Sequence, residues 1–217
     1  MTITVLVADD HAIVRDGLRS LLDAQQDIKV IGDAANGREA VRKVVKSAPD
    51  VVIMDIAMPE LNGIEAARQI HEEYPNTQII FLSMHSTTEH IFRALQAGAR
   101  GYLLKESAGV QVVDAVRAVY DGRLYLSPNI SDKVIEGYIN HHEAVEEKSP
   151  LSSLSPRERE ILQLVVEGKS SAEIAEILVL SPKTVETYRS RMMQKLGIND
   201  LPALVRFAIQ HGLTPLE

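Results

Sequence analysis

The stretch Val51-Val52-Ile53-Met54-Asp55 places a carboxylate directly after four apolar residues. A short continuous apolar run is typical of a strand that is buried on both faces, as strands are in parallel sheets. Open α/β sheets bind their ligands beyond the carboxyl ends of these strands. Asp55 is therefore predicted to lie in a binding crevice at the edge of a parallel sheet.

Three further apolar runs are each followed by a polar side chain that can carry chemistry. They are Ile3–Ala8 before Asp9 and Asp10, Gln78–Leu82 before Ser83, and Gly101–Leu104 before Lys105. If the strands are parallel and adjacent, three carboxylates, a hydroxyl and an ammonium group meet at one edge of the sheet. A single aspartate after a strand is most often a turn or helix-cap residue, but five such residues at successive strand ends favour a shared site.

These five side chains suit the transfer of a phosphoryl group. Three carboxylates within a few ångströms repel one another, and a hard divalent cation such as Mg²⁺ relieves that repulsion. A lysine and a hydroxyl on the opposite side can hold the oxygens of an incoming phosphoryl group. The residues therefore predict a magnesium-assisted site with Asp55 as the covalent acceptor.

Strand and helix patterns alternate through the first part of the chain, which indicates a parallel sheet with helices on both faces. A further strand is predicted at Ile28–Ile31, and helices at Ala12–Ala24, Gly37–Lys46, Leu61–Tyr74 and Gly109–Tyr120, with another helix opening at the capping box Ser86–Glu89. The side chains expected to face the core include Ile13, Val14, Leu18, Leu21 and Leu22 of the first helix and Val41, Val44 and Val45 of the second. The predicted fold class is α/β: a flavodoxin-like, doubly wound, five-stranded sheet in the order 2-1-3-4-5.

The composition limits the remaining possibilities. The chain has 217 residues, 45% of them hydrophobic and 24% charged, which suits one or two ordinary globular domains. It contains no cysteine, which excludes disulfides and thiolate metal sites. No apolar run reaches 18 residues and the N-terminus enters a strand directly, so we expect no membrane partner, no signal peptide and a cytoplasmic location.

A second domain is predicted at residues 151–217, after a partly helical linker at 123–150 that is rich in polar residues. The linker carries the pair His141-His142, which is more typical of solvated residues than of a metal site. Residues 151–217 have equal numbers of acidic and basic residues, whereas residues 1–150 carry the whole net charge of −7. This difference suggests different partners for the two parts, but it is too small to establish nucleic-acid binding by itself.

The second domain is predicted to contain four helices, two of which open with a capping box, Ser155–Glu158 and Ser170–Glu173. The third helix is capped by Ser181 and ends at Gly197, and the tight connection before it is typical of a helix-turn-helix unit. One face of this third helix forms a polar stripe, made of Lys183, Glu186, Thr187, Ser190 and Gln194. Between residues 183 and 195 four basic residues accompany one acidic residue, which favours a DNA-reading helix over a merely solvated one.

These motifs resemble two known families. Over roughly residues 1–122, Asp9, Asp10, Asp55, Ser83 and Lys105 match the functional residues of response-regulator receiver domains, and Met58-Pro59, Gly63 and the switch aromatic Tyr102 also match. Residues 154–161, 168–169, 173–175 and 180–185 resemble the LuxR-type helix-turn-helix domain. A receiver domain followed by a LuxR-type domain is the architecture of the NarL/FixJ class of two-component response regulators.

The receiver resemblance implies a phosphorylation switch. A sensor histidine kinase would donate its phosphoryl group to Asp55, with Mg²⁺ held by Asp10, Asp55 and the Ala57 carbonyl and with Asp9 acting through water. Lys105 and Ser83 would contact the phosphoryl oxygens. The Ser83 loop would move together with Tyr102 and change the surface formed by the fourth and fifth helices.

The LuxR-type resemblance implies binding to double-stranded DNA, as a homodimer on a palindromic site. Four residues would face the base edges: Lys183, Glu186, Thr187 and Ser190. Five others would contact phosphates: Lys169, Thr184, Tyr188, Arg191 and Lys195. Glu186 stands where the class often has a basic residue, and its carboxylate can accept a hydrogen bond from a cytosine amino group.

Three other functions are weighed against this interpretation. A phosphatase with an aspartate nucleophile needs a second acid/base carboxylate, but Ala57 occupies its natural place. A DNA-binding protein with a vestigial receiver is disfavoured by the complete set of five site residues. A small-molecule sensor of the autoinducer type would not carry strands that end in this acidic set. Ala57 and His85 stand where the family tunes loss of the phosphoryl group, and Glu106 stands where many receivers have proline after the lysine.

Overall fold

The computed structural model describes residues 2–84, 87–128, 130–132, 134 and 150–213. The chain divides into two units, Met1–Val145 and Glu146–Glu217. The division falls within the segment that the sequence predicted as a linker. The capping-box residue Ser86, His85 and the His141-His142 pair lie outside the described residues.

The first unit is a parallel sheet with helices on both faces. Its strands are β1 (Ile3–Ala8), β2 (Ile28–Ala34), β3 (Val51–Asp55), β4 (Gln78–Ser83), β5 (Gly101–Leu104) and β6 (Tyr125–Leu126). Its helices are α1 (Ala12–Asp23), α2 (Gly37–Ser47), α3 (Gly63–Glu73), α4 (Thr88–Gln96) and α5 (Ala108–Tyr120). The strand order is β2-β1-β3-β4-β5-β6, and every neighbouring pair is parallel.

The predicted flavodoxin-like order is confirmed for the first five strands, and it positions the acidic residues. All five residues of β3 are buried, as expected for a strand covered on both faces. In the pairing of β1 with β3, Ala8 lies opposite Met54. Asp9 and Asp55, each one residue further on, therefore lie side by side at the carboxyl edge.

The prediction of five strands was wrong, because the structure has a sixth. Tyr125 and Leu126 pair with Gly101 and Tyr102 of β5, in a segment that the sequence assigned to the linker. A strand of two residues is too short to show a period-2 pattern. The chain after it continues along the sheet, since the buried Ile130 packs into the same core as Tyr102. The edge of β5 is therefore covered by its own chain.

Three residues that were predicted to face the core are exposed instead. Ile13 is 82% exposed, Leu21 40% and Val45 51%. Leu18 and Leu22 of α1 are buried, at the four-residue spacing of one helical face. Positions 14, 18 and 22 form the buried face of α1. Ile13 and Leu21 each lie one residue before a position of that face, so their side chains point about 100° away from it, toward solvent.

Within residues 150–213 the second unit contains the four α-helices that were predicted, after a short 3-10 helix at Pro150–Ser153. They are α6 (Pro156–Val166), α7 (Ser171–Leu178), α8 (Pro182–Leu196) and α9 (Leu201–Gln210). Both predicted capping boxes form, and the Ser181 side chain accepts a hydrogen bond from the backbone of Thr184. The four helices bury one apolar core, which includes Ile161, Leu178, Val185, Met192 and Leu204. In the part of the chain that the structure describes, no helix has the length and apolar character needed to cross a membrane.

Candidate functional site

The predicted acidic residues come together at the carboxyl edge of β1 and β3. Ligand atoms of Asp9, Asp10, His11 and Asp55 all lie within 4.8 Å of one another. Asp9 and Asp55 are buried, while Asp10 is only partly covered. Buried like charges at this spacing are unfavourable unless a cation offsets them. The cluster is therefore suited to hold a cation.

Lys105 supplies one such cation from the carboxyl end of β5. Its Nζ lies 2.8 Å from Oδ2 of Asp9 and 2.8 Å from Oδ2 of Asp55. Burial disfavours the charged form of Lys105, but the carboxylates of Asp55 and Asp9 outweigh burial, so the pKa of its ammonium group is raised. Lys105 therefore stays charged and links the two buried aspartates.

The environment of Asp55 disfavours its ionised form. Burial is the largest cause, and the nearby Asp9 and Asp10 carboxylates add to it, so the pKa of Asp55 is raised to about 6 although Lys105 opposes the shift. A carboxylate that is costly to ionise is stabilised by an added cation. The electrostatics therefore favour a cation beside Asp55.

Two residues that the sequence analysis missed support the acidic pair. The Arg15 guanidinium donates to the backbone carbonyl oxygens of Asp9 (2.7 Å) and Asp10 (3.2 Å). The His11 amide donates to Oδ1 of Asp9 at 2.9 Å, and its ring Nδ1 lies 2.7 Å from Oδ1 of Asp10. Arg15 lies on α1, five residues after Asp10. This spacing predicts a contact with the acidic pair only when the geometry of the turn between β1 and α1 is known.

The loop that follows Asp55 is held against it by Gly63. The Gly63 amide donates to the Ile56 carbonyl at 2.9 Å, and Met58 within the loop is fully buried. A Cβ atom at position 63 would lie only 2.0 Å from the Asp55 carbonyl oxygen, so this close approach requires glycine. Ala57, whose carbonyl was predicted as a metal ligand, lies in this loop and is partly buried.

The predicted switch residues lie on neighbouring strands. Ser83 ends β4 and is 1% exposed, and Tyr102 on β5 is fully buried. Burial raises the pKa of Tyr102 to about 12, although a hydrogen bond with Ser83 opposes the shift. Tyr102 is therefore a neutral phenol, turned inward and hydrogen-bonded to the predicted phosphoryl-binding hydroxyl.

The predicted DNA-reading helix is α8, and its polar stripe is exposed. Lys183, Glu186, Thr187 and Ser190 are all exposed, whereas Thr184 and Tyr188 are half-buried. A shallow cavity of about 360 Å³ at the start of the helix is lined by Ser181, Lys183, Thr184, Thr187, Tyr188 and Arg191. Two cations and several hydroxyls around one hollow suit a backbone phosphate.

Two basic residues of α8 also make contacts within the second unit. The Lys195 Nζ lies 2.7 Å from Oε2 of the buried Glu158, and Arg189 donates to the Ser171 hydroxyl at 3.1 Å. Lys195 was predicted to contact phosphate. Because it also pairs with Glu158, its replacement would affect the stability of the second unit as well as its charge. Lys169, another predicted phosphate contact, is half-buried just after α6.

Comparison with known families accounts for both units. Residues 5–117, more than half of the chain, match the response regulator receiver domain, and residues 152–208 match the luxR family of bacterial regulatory proteins. The chain belongs to the two-component response regulators of the NarL/FixJ class. This response regulator is 40% identical over 212 residues to the oxygen regulatory protein NreC of Staphylococcus carnosus, covering 96% of this chain and 98% of NreC. It is 41% identical over 215 residues to the response regulator UvrY of Escherichia coli, covering 99% of this chain and 97% of UvrY.

A solved structure extends the comparison to DNA. The complex of the two-component response regulator RcsB with DNA matches with a TM-score of 0.59 and 27% identity, covering 95% of this chain and 98% of RcsB. The response regulator described here combines a receiver domain with a luxR-type domain, and its function is phosphorylation-controlled regulation of transcription.

Proposed function

We propose that Asp55 is the residue that is phosphorylated, with the phosphohistidine of a sensor histidine kinase as donor. An Asp55 oxygen attacks phosphorus, a P–O bond forms and the P–N bond to the histidine breaks. The observation that carries this proposal is the contact of one ammonium group, Nζ of Lys105, with both buried aspartates at 2.8 Å. Lys105 and the Ser83 hydroxyl would hold the transferred phosphoryl oxygens.

The acidic residues fit Mg²⁺ as the metal cofactor. Carboxylates of Asp9, Asp10 and Asp55 are hard oxygen ligands that lie within 4.8 Å of one another, and the Ala57 carbonyl is a fourth proposed ligand. Mg²⁺ would supply positive charge that offsets the charge on the phosphoryl oxygens during transfer. The residues themselves position the acceptor, because Arg15 and Lys105 hold the loop and the carboxylates.

The switch is proposed to run from Ser83 to Tyr102. Their hydroxyls share a hydrogen bond, so a phosphoryl group that recruits Ser83 changes the partner of Tyr102. Both side chains lie in the sheet, next to α4 and α5, whose surface is the proposed output face.

The output is proposed to be binding of a homodimer to a palindromic duplex site. Lys183, Glu186, Thr187 and Ser190 would face base edges, with Glu186 accepting from a cytosine amino group. Thr184, Tyr188 and Arg191, which line the hollow on α8, would contact phosphate together with Lys169 and Lys195. Two linked DNA-binding domains would bind DNA more tightly than one, because binding of the first raises the effective concentration of the second.

The proposed domain boundaries follow the same division of labour, with a receiver at 1–122, a linker at 123–150 and a DNA-binding domain at 151–217. We do not expect turnover of small substrates, since Ala57 offers no acid/base group beside Asp55. Kinase-linked phosphorylation and chromosomal DNA place the proposed activity in the cytoplasm.

The direct test is the intact mass of the full chain after incubation with acetyl phosphate and Mg²⁺, beside Asp55→Asn and a sample with the metal chelated. The proposal predicts a gain of one phosphoryl group in the wild type only, and only with Mg²⁺. A gain of equal size in Asp55→Asn would contradict it. Lys105→Met should retain the fold yet gain the phosphoryl group more slowly, because it keeps most of the apolar stem of the side chain but not its charge.

A further inference from the structure

The chain that leaves the receiver sheet crosses the edge of β5 beside Tyr102. Residues 125–134, which we call the strap, begin with β6 and belong to the segment that the sequence predicted as a linker. Leu126 lies directly opposite Tyr102 in the parallel pairing of β5 with β6, and the Ser127 amide donates to the Tyr102 carbonyl at 3.1 Å. The strap is therefore hydrogen-bonded to the backbone of the proposed switch residue.

The strap also covers the side chain of Tyr102. Residues directly opposite each other on neighbouring strands place their side chains on the same face of the sheet, so Leu126 lies beside the Tyr102 ring. Leu126 and Val134 are partly buried against the core that contains Tyr102, and Ile130 in the same core is fully buried. Because the strap closes this edge of the sheet, the Tyr102 ring cannot turn outward across the edge without displacing the strap.

One buried group disfavours the docked position of the strap. Ser127 is 2% exposed, and its hydroxyl has no hydrogen-bond partner among the described residues. Its carbonyl, by contrast, accepts from the amides of Ile130 and Ser131 at 2.8 and 3.0 Å. A buried hydroxyl that has lost water without gaining a partner raises the free energy of the docked state. Docking therefore stabilises the strap less than the burial of Ile130 alone would, and the released state lies closer in free energy.

We propose that the strap docks and releases with the state of Tyr102, and so carries that state into the linker. When the Ser83 hydroxyl donates its only proton to a phosphoryl oxygen, the Tyr102 phenol has to donate to the Ser83 oxygen, and the ring is held inward under the strap. Docking also shortens the chain between the receiver and the DNA-binding domain, which changes the effective concentration of two such domains at one DNA site. The inference rests on the proposed function for the phosphoryl group, whereas the contact between Tyr102 and the strap does not depend on it.

Hydrogen exchange of the full chain, without phosphorylation, tests the coupling between Tyr102 and the strap. Tyr102→Phe keeps the ring but loses the hydrogen bond to Ser83, so the amides of Ser127, Ile130 and Ser131 should exchange at least about 5-fold faster. Ser127→Ala removes the buried hydroxyl, so the amides of Ile130 and Ser131 should exchange more slowly than in the wild type. Amides of β2, at the opposite edge of the sheet, serve as the control and should not change. Equal exchange of the strap amides in wild type and Tyr102→Phe would overturn the inference.

A second experiment tests whether the linker uses this coupling. Ile130→Ala should gain the phosphoryl group to the wild-type extent by intact mass, yet its gain in DNA affinity on phosphorylation should fall from at least about 5-fold to less than about 2-fold. The matched control is Ile70→Ala on α3, which removes a buried isoleucine from the same core and should keep the full gain. A full gain in Ile130→Ala would show that the strap does not carry the signal. If the wild type gains no phosphoryl group, the proposed function fails, and the exchange of Tyr102→Phe still decides whether Tyr102 controls the strap.

Discussion

The carboxylate of Asp55, the proposed acceptor, carries an electrostatic cost in the folded protein. Asp55 is buried, and its pKa is raised from 3.8 to about 6 chiefly by that burial. Between these two pH values the folded state binds more protons than the unfolded state, so the free energy of unfolding falls as pH rises through this window. Above about pH 6 the folded protein bears the whole cost of ionising Asp55. The pKa shift corresponds to a loss on the order of 3 kcal/mol in the free energy of unfolding.

Asp55→Asn should therefore stabilise the receiver at pH 7. The expected gain is at most about 3 kcal/mol, and smaller because Lys105 loses a charged partner. The gain should shrink as pH falls from 7 toward 5, where wild-type Asp55 is itself protonated. Urea unfolding across this pH range measures the difference, with Asp16→Asn on the exposed face of α1 as a control for the loss of one charge. A gain that is independent of pH would contradict this explanation.

Gly63 tests the close packing of the loop after the acceptor. Gly63→Ala places a methyl group 2.0 Å from the Asp55 carbonyl oxygen, so the loop or the strand end must move. We expect a loss of about 1–3 kcal/mol in the free energy of unfolding and slower phosphorylation.

The matched control is Gly17→Ala on α1, where the added methyl group meets no atom within 4 Å beyond its chain neighbours and the backbone of its own helix. Alanine is favoured in helices, so this variant should gain about 0.5–1 kcal/mol. Equal effects of the two substitutions would show that the loop accommodates a side chain at position 63.

The elements of the receiver were predictable where the sequence has a strong period. Buried strands appear as apolar runs, and β1, β3, β4 and β5 each end at a site residue, so the sequence identified the site along with the sheet. The sequence did not predict β6, because this strand has only two residues and forms only by pairing with the edge of β5. The roles of His11 and Arg15 were not predicted either, since their contacts follow from the turn between β1 and α1 rather than from a sequence motif.

The two capping boxes of the second unit offer a comparison between helices. Glu158 of α6 is 3% exposed, accepts from the Ser155 amide at 2.8 Å and pairs with Lys195 of α8. Burial opposes its ionisation, but Lys195 and Ser155 outweigh burial, so the pKa of Glu158 is lowered. Glu173 of α7 makes the same capping contact, but in an exposed position.

Glu158→Ala should therefore cost about 2 kcal/mol, from the lost cap and the lost charged hydrogen bond to α8. Glu173→Ala should lower the free energy of unfolding by less, because water can replace the contacts of this exposed side chain. Hydrogen exchange of amides in α6 and α8 reports the second unit by itself. If the two substitutions had the same effect, the link between α6 and α8 through Lys195 would contribute nothing.

At the scale of the whole molecule, charge and function are divided between the two units. Residues 1–150 carry the net charge of −7, while residues 151–217 are neutral overall and concentrate their basic residues on α8. An acidic receiver does not attract DNA by itself, so in the proposed function the affinity for DNA comes from the α8 surface and from the pairing of two DNA-binding domains. Control by phosphorylation would therefore change either the number of DNA-binding domains that bind one DNA site or the affinity of each domain for DNA.

The most direct test of this account is the affinity of the full chain for DNA before and after phosphorylation, at one fixed salt concentration. The duplex would be selected from random sequences with the phosphorylated protein. We predict at least about 5-fold tighter binding after treatment with acetyl phosphate and Mg²⁺, and no change in Asp55→Asn. Equal affinity of the phosphorylated and unphosphorylated wild-type protein would contradict the central claim that phosphorylation of Asp55 controls DNA binding.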